Sequence, residues 1–443
     1  MSLIRIISTW HPRTPFYYGW LVVGTAALGA FTATGVAQLV LGGIQGLIFE
    51  DMGWDRGTIA YAATAGTWAS GLLTPVAGRL VDRYGPRGLM PVAILIVGLC
   101  YFALAGISAV WQFYAAYIIA RTIANPNLNG VVPRTVAVNF FQRKRNFALG
   151  LTSMARPIGG AINIQVFSLV SRGYSWRVAY RFLGVFALAL AVPLFVVMRR
   201  RPEDIGLQPD GDSRPLTGEL PRPRAAALET RRASTPKERE WRAGEVVFTS
   251  TFWLIVVAES LGILTEGALS FQVVPYLRDS GLSLGVAAGA LSLSALLGAL
   301  VNPGWGYLSD RFSPRKLALV AVVTTAAVTT LFLTTGSGRI GFFVVILWGT
   351  ASGGLNILGT MMLAHYFGRA YFGSITGLMG PIQLGFLGLG PTFGAVLYKL
   401  TGDYTALFLY AASAYALVAL CIYSVRPPVP RPKRPAGGRV PQD

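Results

Sequence analysis

Histidine and cysteine are almost missing from this sequence: two of each among 443 residues. His11 and His365 stand far apart, and no His/Cys/Asp/Glu group has metal-ligand spacing. Neither a metal centre, nor a cofactor, nor the nucleophile and base of an enzyme is therefore expected. Cys100 and Cys421 each lie within apolar runs and read as inert packing residues. Charge is scarce too. Only 13% of residues are charged and 53% are hydrophobic, which excludes a soluble domain of this size and predicts a polytopic membrane protein. Acidic residues are fewest, 19 against 38 Lys and Arg, leaving a formal charge of +19. The excess does not point to nucleic acid, because the basic residues sit in short connectors and two tails rather than on one soluble face. Met1 to Pro15 carries Arg5, His11 and Arg13 but no short apolar core with a small-residue cleavage site. No cleaved signal peptide is expected, and the first membrane helix should act as the signal.

What is present is a duplication. Gly78-Arg79-Leu80-Val81-Asp82-Arg83-Tyr84-Gly85-Pro86-Arg87 returns as Gly306-Tyr307-Leu308-Ser309-Asp310-Arg311-Phe312-Ser313-Pro314-Arg315, at a constant offset of 228 (310 − 82). Pro75/Pro303 and Asp51-Met52-Gly53 against Asp279-Ser280-Gly281 keep that offset. Each copy falls between apolar runs of membrane-spanning length and is expected to form a tight charged turn. The first copy matches almost position for position the pattern G-x-L-x-D-R-x-G-x-[RK], and so resembles the major facilitator superfamily. Ser313 stands where that pattern has Gly, which predicts a less tight second turn.

Apolar runs place six spans before residue 199, beginning at Tyr17-Tyr18-Gly19-Trp20, and six after residue 245. The expected organisation is an N-terminal half (1–198), a Pro/Arg/Glu-rich cytosolic linker (199–245), a C-terminal half (246–425) and a disordered basic tail (426–443) lying against anionic lipid. The first span is expected to reach about Ile48, the second to cover about Gly57 to Val76, and the fourth to run from about Tyr114 to Phe140, with Pro126 leaving one carbonyl without its helical donor, after an outer turn at Val110-Trp111-Gln112. Arg79, Arg83, Arg87, Arg143, Lys144, Arg145, Arg311, Arg315 and Lys316 fall on one side, so both termini are expected in the cytoplasm. The resemblance implies an all-α membrane protein with the major facilitator fold: twelve transmembrane helices in two six-helix halves that act by alternating access. A bias of Arg over Lys points to a GC-rich bacterium and its cytoplasmic (inner) membrane, with a monomer expected.

Charged side chains inside spans are costly and usually face an aqueous cavity. Arg121, Asn125 and Asn129 follow i, i+4, i+8 in the fourth span, which on a regular helix is one face, and Arg121 sits where the superfamily keeps a fourth-helix Arg. Its structural alternative is an interhelical hydrogen-bonding role. Arg156 precedes Pro157 in the fifth span, where it can anchor an anion or pair with a carboxylate; the sequence leaves both open. Glu259 and Glu266, seven residues apart on the seventh span, share a face and are candidates for reversible protonation. Asn302, Asn356 and Gln383 are weaker substrate-binding candidates, as are Gln38 and Gln272, because amides commonly serve as helix glue. Asp82 with Arg83 and Arg87, and Asp310 with Arg311 and Arg315, are gating candidates: a carboxylate at a helix end can accept hydrogen bonds from the other half when that side is closed.

The Tyr-Gly-Trp opening, Gly53-Trp54-Asp55-Arg56, Phe140-Phe141 before a basic cluster and Pro275-Tyr276-Leu277 resemble the oxalate/formate antiporter-like and monocarboxylate transporter families. That resemblance implies a small organic anion as substrate, moved with a proton or exchanged. The families' eighth-helix basic residue is replaced here by Asn302 and the antiporters' eleventh-helix Lys by Met379, so any carboxylate must lean on Arg121 or Arg156. The rival from another transport class is a proton-driven exporter of amphipathic cations or drugs, for which Glu259 and Glu266 would supply the attraction.

Overall fold

The computed structural model describes residues 14–37, 40–41, 48, 51–54, 56–211, 241–334 and 338–428. The expectations for Gln38, for Arg5, His11 and Arg13, for Asp55, for the middle of the linker and for most of the basic tail lie outside the described residues. Within them the chain is helical, with no strand. The helices of the first half are α1 (Tyr18–Ala33), α2 (Arg56–Tyr84), α3 (Pro86–Ala105), α4 (Val110–Ala124, resuming at Val131–Phe140), α5 (Arg145–Gly173) and α6 (Trp176–Val197). Those of the second are α7 (Ser250–Asp279), α8 (Leu284–Leu300, continuing as Asn302–Ser309), α9 (Pro314–Leu331), α10 (Gly338–Ser352 and Leu355–Phe367), α11 (Phe372–Thr401) and α12 (Thr405–Ser424). Among the described residues nine helices are long and apolar enough to cross a membrane. The three that fall short, α2, α4 and α5, carry Arg79, Asp82 and Arg83, then Arg121 and Arg134, then Arg145 and Arg156 within them.

Several boundaries differ from the sequence reading, each for a local reason. The first helix is interrupted before the expected Ile48: a 3-10 turn at Thr34–Val36 leads to extended Ala37 (ψ 147°), and Val40, Leu41 and Ile48 are helical again. Val110-Trp111-Gln112 opens α4 instead of forming a turn, because the Gln112 side chain reaches back to accept the N–H groups of Ser108 (2.8 Å) and Ala109 (3.2 Å). The fourth span is not one regular helix. Asn125–Asn129 is π-helical, and Gly130 (φ −113°, ψ −110°) breaks the chain before it resumes. Pro126 supplies no N–H to the preceding turn, and the Asn127 side chain donates to the Ile123 carbonyl at 2.9 Å within the same segment.

The charged motif is also more helical than a turn. α2 runs through Asp82 to Tyr84, and Gly85 alone reverses the chain with φ +78°, a value that an L side chain rarely adopts. The second copy turns differently, as the serine requires: Ser313 is extended (φ −60°, ψ 125°) and Pro314 starts α9.

The duplication holds at atomic level. Trp176 donates to Asp51 (3.1 Å) and Tyr404 to Asp279 (2.7 Å), and both members of each pair are related by the same offset (404 − 176 = 279 − 51 = 228). Asp51 also takes the Arg177 guanidinium in the first half.

The two halves meet along two equivalent seams, α2 against α11 and α5 against α8. The seams are tightest at the end of the bundle that bears both Asp-Arg motifs, here called the turn face. Backbones touch there because side chains are absent: a Cβ on Gly78 would lie 2.2 Å from the Gly373 carbonyl oxygen, and one on Gly306 2.4 Å from that of Asn146. Chain from both ends of the linker packs on the same face. Asp210 accepts the N–H groups of Gln142 (3.0 Å), Arg143 (2.7 Å) and Lys144 (3.2 Å), Glu203 pairs with Arg369 at 2.8 Å, and Trp241 is buried edge-on to Phe367.

Candidate functional site

At the turn face, the two motif carboxylates reach across the halves. Asp82 accepts N–H groups of Gly373 (3.1 Å) and Ser374 (2.6 Å) at the start of α11. Asp310 accepts those of Asn146 (3.0 Å) and Phe147 (3.1 Å) at the start of α5. The acceptors are 228 residues apart and the donors 227 (373 − 146 = 374 − 147), so the duplication extends to the contact itself. Both carboxylates sit at helix N-termini, whose first N–H groups have no partner within the helix and whose dipole favours negative charge. Arg87 lies over the Phe195 ring of α6 (5.0 Å), and Arg315 donates to the last carbonyls of α12, at Ile422 (3.2 Å) and Tyr423. Arg83 and Arg311 lie over the neighbouring rings of Tyr84 (5.3 Å) and Tyr307 (4.4 Å). Arg200, which the sequence reading passed over, donates to the Asp82 carbonyl.

Deeper in the bundle, the first half presents guanidinium groups and the second carboxyls. Arg121 is 1% exposed and enclosed between helices: it presses on Gly66 of α2, where a Cβ would lie 3.0 Å from its own. One turn further along both helices, Asn125 donates to Ser70 at 3.1 Å. Arg121 and Asn125 therefore do share a face, but that face is turned to α2. The π-helical segment then ends the regular period on which the alignment of Asn129 with them rested. Its amide is enclosed, with no hydrogen-bond partner among the described residues for either atom. The Arg121 Nε and Nη1 likewise have none. Arg156 is different. It is accessible to solvent yet surrounded by protein, as a side chain in an internal aqueous space is, and it feels the charges of Arg121, Arg134 and Glu266.

Across the seam, Glu259 takes a hydrogen bond from Gln383 of α11, while its Oε1 has no partner among the described residues. Gly359 of α10 makes room for that carboxyl, since a Cβ there would stand 1.7 Å from Oε1. Glu266 accepts from Asn356 of α10 at 3.2 Å. The electrostatic partner of Glu259 is Arg134 of α4, whose Nη1 also reaches the Thr360 hydroxyl of α10 at 3.4 Å. Sequence analysis assigned Arg134 no role; the signal available was the cost of a charge at that depth. Asn302 lies apart from this cluster, buried in the α5–α8 seam, where its carbonyl would be 2.5 Å from a Cβ on Gly150. Gln272 is buried, and His365 contacts the adjacent Tyr366 ring at the end of α10. Among the described residues no group of three or more His, Cys, Asp or Glu side chains could hold a metal.

Comparison with known proteins agrees with this architecture. A family model described as Major Facilitator Superfamily matches residues 19–383 and, in a second match, 263–442. The oxalate:formate antiporter of Oxalobacter formigenes is 23% identical over 367 residues, covering 82% of this chain and 80% of that protein. The 4-hydroxybenzoate transporter PcaK of Pseudomonas aeruginosa is 25% identical over 430 residues, 92% of this chain and 93% of that one. The solved structure of the proton:xylose symporter XylE shares the fold, with a TM-score of 0.68 at 12% identity over 92% of this chain and 96% of that one. With its duplicated six-helix plan and a family match over most of its length, this chain is a multi-pass membrane transporter, not an enzyme, and belongs to the major facilitator superfamily.

Proposed function

We propose that this transporter moves a small organic anion of monocarboxylate type by alternating access, in company with a proton. The observation that carries this reading is the opposition of Arg121, Arg134 and Arg156 in one half to Glu259 and Glu266 in the other. Three fixed positive charges against two negative leave one in excess, which one carboxylate can balance. Protonation of Glu266 would uncover the charge of Arg156, so that proton and anion would bind each other's complement. Arg156, being accessible, is the anchor; Arg121 is enclosed and adds charge from behind, and Asn125, Asn129, Asn356 and Gln383 would orient polar atoms of the substrate. The relatives named for oxalate and 4-hydroxybenzoate, both carboxylates, support the same class. The cation-exporter reading fits less well, because each carboxyl already has a guanidinium in its field.

The turn face is assigned to the cytoplasm by its excess of Arg over acidic residues, in the inner membrane of a bacterium. The Asp82 and Asp310 contacts then form the cytoplasmic gate. To test the substrate class, the purified protein is placed in liposomes holding a pH-sensitive dye, and mono- and dicarboxylates are added outside. Acidification with one acid, absent in Arg156→Ala and in Glu266→Gln, is the expected result. A wild type that ignores every carboxylate and is instead driven by amphipathic cations would replace this reading by the exporter.

A further inference from the structure

A cavity lies inside the second half, between α7, α9, α10 and α12, away from the seams. Glu259 and Glu266 line one wall, and Ala318, Met362, Val418 and Ile422 are among the residues of the others. Its course follows from helix positions at about 1.5 Å per residue. Glu266 stands 16 residues into α7 from the turn face, about 24 Å deep. Ala318 is only four residues into α9, Met362 five from the end of α10 and Ile422 two from the end of α12, each within about 8 Å of the turn-face ends of their helices. The cavity therefore runs from the charged centre towards the turn face, at the very end where the seams are shut by backbone contact.

Polar groups along it suit water. The free Oε1 of Glu259 and the Asn356–Glu266 pair supply donors and acceptors, and the space admits a water molecule. Glu259 and Glu266 are about 10 Å apart along α7, a gap that bound water can bridge. The groups facing them are Arg134 of α4 and Gln383 of α11 at Glu259, and Arg156 of α5, Asn356 of α10 and Tyr415 of α12 at Glu266.

We infer that this cavity is a proton route of its own: Glu266 takes the proton on the substrate side, Glu259 receives it through bound water, and the cavity delivers it to the turn-face solution. The anion, by contrast, leaves through the seam when the halves part. The inference rests on the proton-coupled reading above. Leakage is held back by the guanidinium cluster, which repels a hydronium ion unless an anion accompanies it.

The test separates net transport from exchange. Ala318→Leu and Val418→Phe fill the cavity from α9 and α12, helices that carry none of the substrate-binding candidates. Exchange of labelled for unlabelled acid at equal pH needs no net proton movement and should stay within about twofold of wild type. Acid-driven lumen acidification should fall at least tenfold. Filled variants that exchange and still acidify at the wild-type rate overturn the inference. Should filling also abolish exchange, Ala318→Cys in a Cys100→Ser, Cys421→Ser background decides, because it barely changes volume. Silver ion, about as small as water, added at the turn face should then bind the thiol and slow acidification relative to the cysteine-free parent, whereas no binding, or binding without effect, overturns the route. A wild type that exchanges acid but never acidifies removes proton coupling itself and is seen before any variant is made.

Discussion

Truncating Asp82 should open the turn face. Its carboxylate takes two N–H groups, from Gly373 at 3.1 Å and Ser374 at 2.6 Å, and both return to water when the halves part. A hydrogen bond exchanged with water is worth about 0.5–1.5 kcal/mol net. The neutral value is the appropriate one, because removing the carboxylate from water offsets much of the advantage of its charge. Two bonds then favour closure by about 1–3 kcal/mol, roughly a 5- to 150-fold bias. Asp82→Ala should forfeit all of it. The assay is the distance distribution between spin labels at Tyr84 and Phe312, exposed and equivalent positions in the two halves. Gly78→Val serves as the control, because a Cβ there would collide with the Gly373 carbonyl at 2.2 Å and must part the seam whatever the carboxylate does. If Gly78→Val lengthens the distance while Asp82→Ala leaves the closed fraction within twofold of the parent, the hydrogen bonds do not hold the face shut.

Two further outcomes follow from the same geometry. Partial burial at the seam pushes the Asp310 pKa up to about 6, although the N–H groups of Asn146 and Phe147 pull it down; back in water it would return to about 4. The closed arrangement therefore binds more protons between those values, so closure should strengthen as pH falls through 6 and weaken as it rises. The spin-label distances should show this between pH 7.5 and 5, and the effect should shrink in Asp310→Asn; a closed fraction that falls on acidification would contradict it. Gly359→Ala should uncouple transport, because the added Cβ would occupy the place of Glu259 Oε1 and push the carboxyl off Gln383. Lumen acidification should drop about tenfold or more while purification yield and thermal stability stay near the parent values, and unaltered acidification would show that the carboxyl's position is immaterial.

The membrane class, the helical plan and the repeat that makes Asp82 and Asp310 equivalent were all written in the sequence, because each is a local or repeating property. Apolar run length sets a span, and a duplicated motif carries its partner with it: once Asp82 and Asp310 are aligned, the equivalence of Gly373-Ser374 and Asn146-Phe147 is only an offset. Tertiary structure decided what lies between elements. Arg121 and Asn125 keep the predicted spacing but are turned to Gly66 and Ser70, and periodicity relates residues within a helix without saying which neighbour they meet. The π-helical break at Asn125–Asn129 is invisible to a 3.6-residue count. Arg134 acts on Glu259 through its charge from 125 residues away in the chain (259 − 134), and Gln383 donates to it from 124 residues away (383 − 259). Burial at membrane depth makes such a pairing necessary, but only the packing of the two halves selects which charges satisfy it.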